Sequence, residues 1–220
     1  EALRTAAGKM PRVDAIGVSS AGVYIDNRIM VASLFIKVPD DAFEKRVKNM
    51  YLDAARENGA DIPVTVANDG DVTALAGAME MGVTGVLGIA MGTSEAGGYI
   101  DVDGNITGWI NELAFVPLDM QDGAPVDDWS GDKGCGANYL SQDAAIRLAR
   151  KAGIALDETR TLAENLRVVQ ALMEEGDSRA RAVYETIGTY LGCAVAYYAR
   201  FYDIRHVLIM GRVTSGAGGA

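Results

Sequence analysis

Cysteine is scarce: only Cys135 and Cys193 occur in 220 residues, too few and too far apart for a disulfide framework. That favours a reducing compartment, the cytoplasm. Histidine is scarcer still. His206 adjoins a strand start with no evident metal partner and reads as structural or exposed. No apolar run approaches the roughly 18 residues needed to span a bilayer, and no signal-peptide pattern opens the chain. Positive charge is also short, with 20 basic against 30 acidic residues and a net charge of −10. The basic residues form no stripe that could neutralise a nucleic-acid backbone. A disulfide scaffold, a membrane span and a nucleic-acid-binding surface are therefore not expected in this segment. Such an acidic balance mostly keeps a cytosolic enzyme soluble.

Glycine, in contrast, is abundant: 26 residues against five prolines, gathered in short loops rather than a low-complexity tract. That pattern suits a backbone turning around a ligand. The first residues, 1–9, read as a helix tail, followed by a strand at 14–19, a Gly turn and a strand pair across 24–33. Apolar Phe43, Val47, Met50, Tyr51, Ala54 and Ala55 give a helix over 41–58 with Gly59 as its stop. A buried strand at 63–67, a turn at Asn68-Asp69-Gly70 and a helix over 71–81 burying Val72, Leu75, Ala76 and Met79 close the first part. The second part carries strands at 83–91 and 94–102, a hairpin turn at Asp103-Gly104-Asn105 and a strand at 113–118. An acidic loop then runs to Gly134. Helices follow near 135–152, 161–175 and 178–202, the last with Gly188 and Gly192 free for close helix packing, then a strand at 206–210 and a loop over 211–220. Alternating strands and helices predict an α/β protein, and the hairpins predict mixed rather than purely parallel sheets. The chain begins inside an element and stops in a loop that should feed a helix, so it reads as a fragment of two domains, 1–82 and 83–220.

Three stretches can carry chemistry. Asn68-Asp69 sits at the carboxyl end of a buried strand and before a helix, where a carboxylate can accept the proton of an attacking hydroxyl; the same residues make an ordinary turn. Gly92-Thr93-Ser94-Glu95-Ala96-Gly97-Gly98 is a hairpin rich in small residues whose backbone N–H groups can approach phosphate oxygens, or a hairpin with no ligand. Strand 207–210 empties into Gly211-Arg212-Val213-Thr214-Ser215-Gly216, a strand end of the kind where nucleotides bind. Trp109 and Trp129 can stack on a sugar or simply pack. Asp127, Asp128 and Asp132 match no EF-hand spacing and read as a solvated loop.

The order of these elements resembles the ROK (repressor, ORF, kinase) family of sugar kinases. There a Ser-Pro-Gly-type turn, an Asn-Asp-Ala helix start, a Gly-Thr-Gly hairpin, a Gly-Glu-x-Gly-His segment, a cysteine cluster and a Gly-Gly adenosine loop follow one another. The resemblance implies an actin-like ATPase (ribonuclease H-like) fold of two domains, only partly represented in these residues. It implies ATP-dependent phosphorylation of a hexose or amino-sugar hydroxyl, with ATP and Mg²⁺ as cofactors and a homodimer as the assembly. By the same resemblance Asp69 is the catalytic base, Asn68 and Glu112 hold the sugar, Gly92, Thr93, Gly97 and Gly98 form the phosphate hairpin, and Gly211, Thr214 and Gly216 the adenosine side.

The departures are specific. The family's amino-terminal Asp-x-Gly-Gly-Thr strand is not in these residues. Phe115 stands at the zinc and sugar histidine, Ala137 at a glutamate, and only Cys135 remains of the cysteine cluster, so no zinc is expected. Ser94 and Ala96 replace glycines in the hairpin, Arg212 replaces another, and Glu95 would repel phosphate if it pointed inward to the ligand. A sugar-binding regulator without kinase activity, or a carboxylate kinase of the same fold, are the rival readings.

Overall fold

The computed structural model of the chain describes residues 1–57 and 62–219. The expected helix end at Asn58 and its stop at Gly59 lie outside the described residues. The chain divides into two compact units. One comprises Glu1–Thr73 with Gly108–Ile110, the other Ala74–Thr107 with Asn111–Ala220.

In the first unit, helix α1 (Ala2–Ala7) precedes strand β1 (Ile16–Ser20) and the hairpin of β2 (Val23–Ile25) and β3 (Arg28–Val31). Asp26 and Asn27 turn that hairpin at φ of 49° and 64°, the left-handed pair that a two-residue hairpin loop requires. Helix α2 (Asp40–Ala42), a π-helical segment at Phe43–Val47 and α3 (Met50–Arg56) replace the single helix expected over 41–58. The break has a cause. The Lys48 carbonyl accepts the Ile29 N–H at 2.9 Å, and Asn49 leaves helical geometry at φ −108°, ψ 10°. Strand β4 (Val64–Asn68) then pairs in parallel with β1, with Ile16 opposite Val64 and Ser20 opposite Asn68. The Asn27 Oδ1 accepts the Val66 N–H at 2.7 Å, tying the hairpin turn to β4. Ile29, Ala32, Ala55 and Val66 make the buried apolar set, while Ile25, Val31, Leu34 and Ile36 stay exposed.

Helix α4 (Asp69–Met81) carries the chain into the second unit. It begins directly at Asp69, with no separate turn at 68–70. Its fully buried positions are Asp71, Ala74 and Ala78; of the expected Val72, Leu75, Ala76 and Met79, Leu75 packs half-buried against that core and Val72 is half-buried, whereas Ala76 and Met79 are exposed, Met79 at 74 %. Small residues decide the choice. A side chain at Gly77 would overlap Leu208 Cδ2, and a Cβ at Gly88 would sit 3.0 Å from that of Ala74. Only a face of alanine and glycine lets helix and sheet approach so closely.

The sheet of this unit has the order β6-β5-β7, built from β5 (Val86–Met91), β6 (Glu95–Ile100) and β7 (His206–Met210). Strand β5 is antiparallel to β6 and parallel to β7, a mixed sheet. Helices α5 (Gln142–Lys151), α6 (Leu162–Glu174) and α7 (Ser178–Tyr198) complete a core that includes Leu87, Ile89, Met91, Leu140, Ile146 and Val183. Thr161 and Glu164 form a reciprocal capping box at the start of α6. The expected strand at 113–118 is instead a 3-10 turn at Leu113–Phe115. The helix expected from residue 135 starts at Gln142, where Ser141 Oγ accepts the Ala144 N–H at 3.3 Å. The terminal loop contains a 3-10 turn at Gly216–Gly219. Gly188 and Gly192 are exposed, with open space where a Cβ would project, so they pack no helix among the described residues. No described helix is long and apolar enough to cross a membrane.

Candidate functional site

Asn68 and Asp69 belong to the first unit; the other candidates belong to the second. Asn68 ends β4 beside Ser20, and its amide works in both directions. Nδ2 donates to the Gly22 carbonyl at 2.9 Å and Oδ1 accepts the Gly70 N–H at 2.8 Å. One N–H and one lone pair of the amide remain for a ligand. Asp69 is exposed at the first position of α4, where its Oδ1 accepts the Gly70 N–H at 3.1 Å. A carboxylate there is held by the helix start and open to an incoming hydroxyl.

Two tyrosines that sequence reasoning missed border this corner. Tyr51 donates its hydroxyl to Ser20 Oγ at 3.1 Å, and Tyr24 donates to the Ala21 carbonyl at 2.9 Å. Burial raises the Tyr24 phenol, and the nearby negative charge of Asp69 adds to the effect. In the sequence Tyr51 reads only as an apolar helix position. No spacing signal distinguishes a core tyrosine from one that props a turn.

In the second unit the hairpin tip carries Thr93 and Ser94 exposed, whereas Gly97 and Gly98 are buried within β6. Gly97 is small for a packing reason, since a Cβ would overlap Leu113 and come within 3.0 Å of the Asn111 carbonyl. The Gly92 N–H donates to the Ser94 carbonyl at 2.9 Å, and the Gly92 carbonyl accepts the Gln142 N–H at 2.8 Å, fixing the hairpin to the start of α5. Glu112 immediately precedes the 3-10 turn that holds Leu113 under Gly97.

Gly211 follows β7 at φ 101°, and a side chain there would overlap the Met91 backbone. The Val213 N–H donates to the Met91 carbonyl at 3.2 Å. Hairpin and terminal loop thus meet at the carboxyl ends of two parallel strands, the usual place for a ligand in such a sheet. Thr214 Oγ1 bonds the Gly211 carbonyl at 3.3 Å, and Gly216 turns at φ 61°. Gln170 on α6, also missed, donates to the carbonyls of Arg212 and Ser215 at 2.9 and 3.0 Å.

Where the resemblance places a zinc site, Phe115, Asp128 and Ser130 stand at ligand positions, and the surroundings of the remaining Cys135 are apolar. Cys135 is fully buried with Ala114 and Ala137, and Phe115 packs against them. Trp129 lies on Phe115 with ring centroids 5.3 Å apart, so it packs here. Burial first, then the charge of Asp127, raises the Cys135 thiol, the reverse of what a metal thiolate needs. This donor set does not fit zinc. Among the described residues, no three His, Cys, Asp or Glu side chains gather as a metal-holding group. A magnesium ion carried on nucleotide phosphates needs no such cage.

The ROK family pattern matches residues 3–218. The chain belongs to the ROK family. It is 28 % identical over 173 residues to a glucokinase of Halalkalibacterium halodurans, covering 72 % of this chain and 51 % of that one. It therefore spans about half the length of the curated relative it matches. A ROK glucokinase from Streptomyces griseus, solved with glucose and AMPPNP, superimposes with a TM-score of 0.66 at 20 % identity over 97 % of this chain and 71 % of that one. A ROK transcriptional regulator, a homologue of the E. coli MLC protein, gives 0.68 at 20 % identity over 94 % and 52 %. These likenesses establish the fold: mixed α/β, the actin-like ATPase architecture, in part.

Proposed function

We propose that the protein containing this chain is an ATP-dependent sugar kinase that phosphorylates a hydroxyl of a hexose or amino sugar. The observation that supports this reading best is the convergence of the Gly92 hairpin and the Gly211 loop on the carboxyl end of β5. The exposed hairpin tip is the place for phosphate oxygens, and the loop pinned by Gln170 is the adenosine side. Asp69 takes the proton of the attacking hydroxyl, while Asn68 orients the sugar with its remaining amide valences and Glu112 accepts from a second hydroxyl. Magnesium supplies charge neutralisation on the transferring phosphoryl group.

The test separates chemistry from binding. Asp69→Asn should lower turnover by roughly 10²–10⁴-fold and leave glucose affinity nearly unchanged. Unchanged turnover would remove Asp69 from the mechanism. A second reading, a sugar-binding regulator, is favoured by Ser94 and Ala96 at glycine positions of the hairpin and by the likeness to the MLC-type protein. Sugar binding with neither AMPPNP binding nor turnover in the wild type would select it.

A further inference from the structure

Glu95, the first residue of β6, is 5 % exposed. Its side chain turns away from the hairpin tip into the interior of the second unit, so the expected repulsion of phosphate does not arise from this conformation. Tyr198 on α7 donates its hydroxyl to Oε1 at 3.3 Å, and Oε2 is buried with no hydrogen-bond partner. Oε2 lies against Gly136, where a Cβ would overlap it and approach the Leu113 carbonyl at 2.5 Å. Three segments therefore meet at one carboxyl group: the hairpin, α7 and the loop after Cys135.

We propose that Glu95 is a positioning residue, a neutral carboxylic acid that clips the β5–β6 hairpin to α7 and to the Gly136 loop and is released from this slot when it ionises. The inference rests on the phosphate role given above to the hairpin, but the clip itself can be tested without nucleotide.

The chemistry follows from burial. An ionised carboxylate with one neutral donor and an unpartnered oxygen in an apolar slot is costly, so desolvation pushes Glu95 up to about 8, with the Tyr198 bond pulling slightly the other way. The other titratable groups around the slot are Tyr198, Cys135, Tyr202 and Glu112. Tyr198 and Cys135 are both raised by burial, and Tyr202, beyond Tyr198, bonds Asn111 Oδ1 at 3.0 Å. Glu112 precedes Leu113, whose carbonyl lies beside Gly136. With the proton on, Glu95 can remain in the slot. With the proton off, the cheapest relief is for the side chain to swing to water, carrying the strand start beside Ser94 and Thr93 with it.

Amide hydrogen exchange over residues 92–98, corrected for the intrinsic rate, reads the clip directly. Protection should fall as pH rises from the ordinary carboxylate range near 4.5, by up to about tenfold per pH unit, and level off above about 8. Glu95→Gln, neutral at every pH, should keep the low-pH protection throughout. Tyr198→Phe removes the donor that favours the charged form, so the fall should move to higher pH. Cys135→Ser should leave the wild-type response in place. The proposal is overturned if Glu95→Gln, or Tyr198→Phe should the first fail to fold, retains the wild-type midpoint, or if Cys135→Ser abolishes the fall. AMPPNP affinity, measured alongside, should drop over the same pH range. Absent AMPPNP binding at every pH, with the exchange response intact, would defeat the nucleotide reading and leave the clip standing.

Discussion

The two units bury their residues very differently. In the first, a parallel pair and a two-stranded hairpin share a small core of Ile29, Ala32, Ala55 and Val66, with several large apolar side chains exposed. In the second, a three-stranded sheet and helices α5–α7 enclose a continuous core reaching from Leu87 to Val213. Two-stranded sheets are marginal alone, whereas three strands packed on helices can sustain themselves. The candidate base thus sits on the thinner unit and the candidate phosphate clamp on the thicker. A base needs only a fixed strand end and helix start; a hairpin that must hold its backbone against a charged ligand gains from a rigid bed.

The largest expected effect puts one substitution in both places. Ile146→Ala, in the closed core of the second unit, should cost about 3–5 kcal/mol; Ile29→Ala, also fully buried, should cost nearer 2, because neighbours with one face in solvent can relax into the space. Each unit carries one tryptophan, Trp109 in the first and Trp129 in the second. Single-tryptophan variants can therefore follow urea unfolding of each unit separately. Equal losses would erase the contrast in core quality; a loss in the first unit that also lowers the Trp129 transition would show that the two unfold together.

Next in size is the pH dependence of the second unit. The Glu95 acid is raised in the folded state, so the folded form binds the proton more tightly than the unfolded chain does. Its stabilising contribution is complete below the ordinary carboxylate range near 4.5, declines as pH rises from there to about 8, and is gone above that. The slope from this one group reaches up to about 1.4 kcal/mol per pH unit. Denaturant curves read at Trp129 should show it, and Glu95→Gln should remove it. A slope that persists in the variant would assign the pH dependence to other groups.

Much of this contrast is legible in the sequence, and the rest is hidden for identifiable reasons. Strand β5 shows as an apolar run, α7 as a series of apolar positions from Ala180 to Tyr198, and α6 as a helix near 161–175. Such features are local, and local periodicity reports them. The misreadings arise where a distant group decides. An apolar run at 113–118 predicts a strand, but Leu113 turns under Gly97 in a 3-10 coil. Apolar Met79 predicts a buried position, but the close approach at Gly77 and Gly88 selects the alanine face. The helix across 41–58 breaks because a β3 amide takes the Lys48 carbonyl. At the site, Asn68-Asp69 and the hairpin are visible as short motifs. The supports are not: Gln170, Tyr51 and the inward turn of Glu95 are set by residues far away along the chain.

A smaller effect concerns the helix ends. Thr161→Ala removes the side-chain acceptor of the Glu164 N–H and breaks the capping box of α6, at a cost of about 1 kcal/mol. Because α6 also carries Gln170, partial fraying should loosen the Arg212–Ser215 loop. AMPPNP affinity would then fall more than stability alone implies. Gln170→Ala should reproduce the affinity loss without the loss of helix stability. If Thr161→Ala lowers stability and leaves AMPPNP affinity untouched, the loop does not depend on the α6 start.

The smallest effect compares one ion pair in each unit. Lys48 meets Glu44 at 3.0 Å and Arg147 meets Asp143 at 2.9 Å, both with i,i+4 spacing. By spacing and exposure each is worth roughly 0.3–0.5 kcal/mol at low salt. Their surroundings differ. The Lys48 ammonium bonds Glu44, in the segment where the helix is already broken by its own carbonyl. The Arg147 guanidinium also donates to the Asn138 carbonyl, so it joins α5 to the turn that follows Cys135 and Gly136. Lys48→Ala should therefore cost no more than the pair itself and become silent at high salt. Arg147→Ala should cost about 1 kcal/mol, most of it surviving salt, because a hydrogen bond to a half-buried carbonyl is lost as well. A parallel salt titration of both variants decides between charge and anchoring. Equal, fully salt-sensitive losses would reduce Arg147 to a surface charge, and with it the view that the second unit is braced around its hairpin from several sides.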